Sequence, residues 1–111
     1  MVLSSLRSRD QEMRKSITTP QNFEDATHRI ANEIADLLIM KQKDYGKSNI
    51  LDFGEYGILV RTNDKVARLK ELVIKNKTPA NEKKTDSWKD IAGYALLALM
   101  LERGWFQLPL R

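Results

Sequence analysis

An all-α fold is what this sequence predicts: a small bundle of three main helices preceded by a short N-terminal helix. Three observations predict it. Apolar residues recur at helical spacing over three long stretches. Each stretch is bounded by residues that start or stop helices. No stretch alternates apolar and polar residues as a half-buried strand does.

Residues 1–21 read as a leader, in which Leu3, Leu6 and Met13 are spaced for a weakly amphipathic helix that TTPQN ends. Residues 22–111 read as one domain. Its first helix is predicted over about 22–45, with Asn22 as N-cap, Glu24 and Asp25 in the first turn and Gly46 just past the end. Phe23, Ile30, Ile34, Leu37 and Leu38 mark its apolar face. KSNILDFGEYG follows as a loop or irregular turn. A second helix is predicted over about 55–75, burying Ile58, Leu59, Thr62, Val66, Leu69 and Val73 and exposing Arg61, Asp64, Lys65, Arg68, Glu71 and Lys75. NKTPANEKK is a polar loop broken by Pro79. The third helix is predicted over about 85–103, capped by Thr85 and stopped by Gly104. From Ile91 onward it is apolar on nearly every side, so it reads as the most buried of the three. The apolar tail WFQLPLR is expected to pack on this chain or on a neighbour.

Composition narrows the functional classes. The 111 residues contain no cysteine, which removes disulfides, thiolate metal sites and cysteine catalysis. The run Ile91–Leu101 falls short of the ~20 residues a bilayer span needs. The N-terminus turns polar too early for a secretory signal, so a cytoplasmic location is expected. The net charge is +4, unevenly spread. Residues 60–84 hold eight basic against three acidic residues, whereas residues 22–46 hold three basic against five acidic. A local basic surface suits a phosphate-bearing partner; it also describes an ordinary solvated helix face.

The candidate site residues start from the acids of the third helix. Asp86 and Asp90 are four apart and share a face. Asp86 lies where the helix dipole favours an anion. Asp90 lies deeper, at the mouth of an apolar helix, and there a carboxylate needs a cationic, hydrogen-bonding or metal partner. Gly93, one turn on, leaves room for a backbone or a ligand. Asp64 on the second helix reads either as half of an Asp64–Arg68 surface pair or as a carboxylate facing Asp86 and Asp90 across a helix pair. The second arrangement would hold Mg2+ or Mn2+, and Arg61, Lys65 and Arg68 would meet phosphate groups. In KDYGKS, Tyr45 and Lys47 read as a helix end or as a loop covering a base or sugar. The lone histidine, His28, reads as a surface residue, as do Glu33 and Asp36.

Three segments in order, KQKDYGKS, FGEYGILVRTNDKVARLKEL and DSWKDIAGYALLALM, resemble the phage and prokaryotic family called nucleotide modification associated domain 1, over about residues 41–101. That family is similar in turn to the MazG-like all-α nucleoside triphosphate pyrophosphatases. The resemblance implies a helical fold completed by oligomerisation. It also implies Mg2+ held by an E-x-x-E pair on one helix and an E-x-x-D pair on the next. Laid on this chain, those four positions are Arg61, Asp64, Ser87 and Asp90, so two of the four acids are absent, and Asp86 stands one residue before Ser87.

The expected function is therefore a MazG-like pyrophosphohydrolase acting on free nucleotides. Asp64 and Asp90 would be its catalytic acids, Asp64, Asp86 and Asp90 its Mg2+ or Mn2+ ligands, and Arg61, Lys65, Arg68, Tyr45 and Lys47 its substrate contacts. The alternatives are a nucleotide-binding or sequestering protein without turnover, and a basic helical module for nucleic acid or protein. A homo-oligomer, dimer or tetramer, is expected, and no membrane partner.

Overall fold

The computed structural model describes residues 19–80 and 83–111. The expected N-terminal helix lies outside the described residues, as does most of the leader. Those residues form helices α1 (Phe23–Tyr45), α2 (Ser48–Leu51), α3 (Gly54–Leu69) and α4 (Lys84–Glu102), with no strand among them. A wider π-helical turn, Lys70–Ile74, continues α3. The all-α class is as the sequence predicts. KSNILDFGEYG is not simply loop: its first half contains α2.

The chain divides into two units, ending at Asn32 and starting at Glu33. In the first, Asn22 caps α1 as expected, its Oδ1 accepting the Asp25 N–H at 2.7 Å. Asp25 pairs with Arg29 one turn on at 3.1 Å. His28 is exposed, and so are Phe23 and Ile30, which the sequence assigns to an apolar face.

The second unit has its core where Ile50 of α2, Ile58 of α3, Leu97 of α4 and Phe106 of the tail meet, with Leu38, Tyr94 and Met100 packed around them. The tail packs on its own chain: Phe106 is 3% exposed, and the backbone carbonyl of Gln107 accepts a hydrogen bond from the Lys47 ammonium at 2.7 Å. Gly46 and Gly104 end α1 and α4 at φ of 70° and 75°, the left-handed conformation that glycine adopts without steric cost. α4 starts one residue earlier than expected, and its N-cap position is Lys83, which makes no side-chain capping bond; Thr85 lies within the first turn.

Two burial expectations are corrected. On α3, Ile58 and Leu69 are buried, but Leu59 is 64% exposed and Val66 also faces outward, as does Val73 in the π-helical turn. The inward stripe is Ile58, Thr62, Lys65 and Leu69, flanked by half-buried Arg61 and Arg68. Polar groups on α4 explain the phase. Ser87 is fully buried and accepts a 2.7 Å hydrogen bond from Arg68 Nη1, and Asp90 accepts Lys65 at 2.9 Å. These bonds draw the basic side chains inward and turn Leu59 and Val66 out. Nor is α4 enclosed: Trp88, Leu96 and Leu99 are exposed. Its main packing partner is α3, which covers only part of a surface that is apolar on nearly every side from Ile91 onward.

Candidate functional site

The second unit holds a cavity of about 400 Å3 lined by residues of α1, α2, α3 and α4. The elements place its wall by helical spacing. Ile34, Leu38, Lys41 and Tyr45 continue one stripe of α1, while Asp90, Gly93, Tyr94 and Leu97 continue one stripe of α4. Asn49 enters from α2 and Arg61 from α3. The wall thus joins aliphatic side chains to two tyrosines, two neutral amides (Gln42 and Asn49), three cations (Lys41, Arg61 and Lys89) and the single carboxylate of Asp90. A hollow of this size, with apolar surface and convergent polar groups, is a candidate small-molecule site.

Asp90 is the electrostatic centre. Its side chain is 12% exposed, and its two oxygens take one ammonium each: Oδ1 accepts Lys41 Nζ at 2.8 Å and Oδ2 accepts Lys65 Nζ at 2.9 Å. Burial pushes its carboxyl pKa up, but the two ammonium groups outweigh burial and hold it below the usual carboxylate range. One carboxylate so ties α1, α3 and α4 together. Lys89, one residue earlier, pairs with Glu33, whose hydrogen bond raises the lysine above its ordinary value. Arg61 has no carboxylate partner among the described residues. It is the cation of the wall whose charge no acid among the described residues answers.

The residues predicted from sequence are spread accordingly. Arg61, Tyr45 and Asp90 line the cavity. Asp64 and Asp86 are exposed, and Asp86 lies in the first turn of α4, where the dipole accommodates an anion. Among the described residues no three histidine or acidic side chains converge as metal ligands, so Asp64, Asp86 and Asp90 do not form one cluster. A divalent cation does not fit the donor set at Asp90, because both oxygens already serve lysines. Lys65 belongs to that pair, Arg68 serves Ser87, and Lys47 serves the tail; none of the three lines the cavity. Lys41, Gln42, Asn49, Lys89 and Tyr94 are in the wall without having been singled out. The signal for Lys41 was present: it continues the Ile34–Leu38 stripe, where a solvated lysine is out of phase. Asn49 carried none, since α2 is too short to show a period.

A sequence profile for a family described as nucleotide modification associated domain 1 matches residues 41–101, more than half of the chain. No curated protein and no solved structure gives a significant match.

Proposed function

The chain belongs to the nucleotide modification associated domain 1 family, and from that premise we propose that it binds a free nucleotide in the cavity of its second unit. The observation that carries the reading is Arg61. An arginine with no carboxylate partner among the described residues, on the wall of a hollow that mixes apolar and polar groups, is a ready partner for a phosphate group, which its planar fork can grip with two hydrogen bonds. Lys41 adds a second positive charge, shared with Asp90. Tyr45 and Tyr94 offer aromatic surface to a flat base.

Binding is the better-supported half of the expected activity. Hydrolysis to a monophosphate and pyrophosphate, which the likeness to MazG-like enzymes implies, calls for Mg2+ or Mn2+ on converging carboxylates. Among the described residues that convergence is missing. Turnover would need ligands from a second copy of the chain or from outside the described residues. The nucleic-acid alternative has less support. Of the basic residues in 60–84, Lys75 and Lys77 both pair with Glu71, Lys65 pairs with Asp90, and Arg68 bonds Ser87. Those four are engaged within the chain rather than forming an open stripe.

Isothermal titration calorimetry with nucleoside mono-, di- and triphosphates tests the reading, beside pyrophosphate release in Mg2+ or Mn2+. Nucleotides should bind, and Arg61→Ala should weaken binding by about tenfold or more, the scale of one lost charged hydrogen-bonding partner. Equal affinity of wild type and Arg61→Ala would remove the cavity from consideration. Metal-dependent pyrophosphate release would add catalysis to binding.

A further inference from the structure

Asp90 holds two ammonium groups, and only one of them belongs to the cavity wall. Lys41 lines the hollow and its side chain is 47% exposed; Lys65 is not in the wall and is 22% exposed. The two lysines therefore stand differently toward an anion that enters. Lys41 can turn its ammonium to it, whereas Lys65 stays with the carboxylate. We propose that Asp90 is an internal stand-in for the ligand's phosphate: it holds Lys41 at the cavity until a phosphate oxygen takes the carboxylate's place, and Lys65 is the resident counter-ion that lets Lys41 go. The inference rests on the nucleotide-binding reading above.

Burial is what makes the second lysine necessary. A carboxylate only 12% exposed that loses its cation is left charged and poorly hydrated, a costly state for an acid inside a fold. With Lys65 Nζ 2.9 Å from Oδ2, Asp90 stays paired when Lys41 leaves Oδ1. Glu33 offers the contrast. It holds the wall lysine Lys89, but its side chain is 49% exposed, so water can solvate it when its lysine moves.

Lysine suits such an exchange of acceptors. Its ammonium is a point charge on a flexible stem and needs no fixed alignment, whereas the rigid fork of Arg61 supplies direction. The exchange also sets affinity. A ligand meets a released Lys41 in only a fraction of the molecules, and its apparent binding is weakened by that fraction. Asp90 and Lys65 are then positioning residues that act on the ligand through Lys41.

Calorimetric titrations with deoxynucleoside mono- and triphosphates, near neutral pH and with EDTA present, compare the full chain with its variants. Asp90→Asn should tighten binding about threefold to tenfold, because a neutral amide competes less for Lys41. Lys65→Met should weaken binding by a similar factor, because Asp90 then keeps its remaining ammonium. In a Lys41→Met background the gain from Asp90→Asn should fall below about twofold, as coupled residues require. A gain that persists there is plain repulsion between Asp90 and phosphate, and it overturns the exchange. Equal or weaker binding by Asp90→Asn overturns it too, as does wild-type affinity in Lys65→Met; nucleotide binding itself would still stand. If Asp90→Asn does not fold, the lysine ammonium resonances of the 15N-labelled wild type decide. Added nucleotide should move the Lys41 signal more than that of Lys65, and an unmoved Lys41 sinks the proposal. No binding of any nucleotide by the wild type overturns both readings.

Discussion

At the scale of single residues, Asp90 is the clearest case of a side chain whose surroundings define its role. Sequence reasoning marked it as a carboxylate in need of a cation, and the cations are Lys41 and Lys65. Asp90→Asn keeps the shape and removes the charge; its amide oxygen still accepts from one ammonium, while its NH2 faces the other. We expect a loss of about 1–2 kcal/mol near neutral pH, less than for a fully buried pair because Lys41 is half exposed. The loss should depend on acidity. The carboxyl is held below its ordinary value in the folded chain, so its contribution is complete above about pH 4 and disappears as the pH falls through the depressed folded value. Urea unfolding of both proteins across pH 2–7 should show two curves that converge in acid. Parallel curves would mean that the lysines contribute nothing through Asp90.

At the scale of elements, the long helices were legible and their faces less so. Asn22, Gly46 and Gly104 act locally, and their effects on α1 and α4 are visible in the sequence. The inward face of α3 was misjudged because apolar spacing favoured Leu59, Val66 and Val73, while the deciding partners, Ser87 and Asp90, lie some 20 residues away in the chain. The core position of Phe106 was equally hidden, for a tail residue has no period to betray it. Gly93 was flagged for the space it leaves, and that space is real: a Cβ there meets no atom within 4 Å, and the residue lines the cavity. Gly93→Ala should therefore stabilise the protein by about 0.5–1 kcal/mol through helix propensity alone. Gly93→Phe should remain helical by circular dichroism yet lose nucleotide binding, because its ring would take the ligand's room. Retained affinity in the phenylalanine variant would place the ligand elsewhere.

At the scale of the whole molecule, apolar surface outruns apolar core. Among the described residues six hydrophobic side chains are buried, whereas α3 and α4 leave Tyr56, Leu59 and Leu99 at least half uncovered. A shallow hollow between these two helices, lined by Tyr56, Leu59, Ile91, Ala95 and Ala98, presents the same character. Patches of this kind on a small chain mark a contact surface, and a second copy is the partner we expect, since a symmetric pair would cover both patches at once. Sedimentation velocity should give a dimer or larger species, and Leu59→Glu should shift it toward monomer; a wild-type monomer at all concentrations would refute this. Were the uncovered faces to pair in such a dimer, they would also alter what stability means for this protein. Where folding and association share one equilibrium, the folded fraction obeys mass action, and the melting temperature climbs with protein concentration. Dilution would then act as a denaturant, and a cell that makes few copies would keep fewer of them folded than their number alone would suggest.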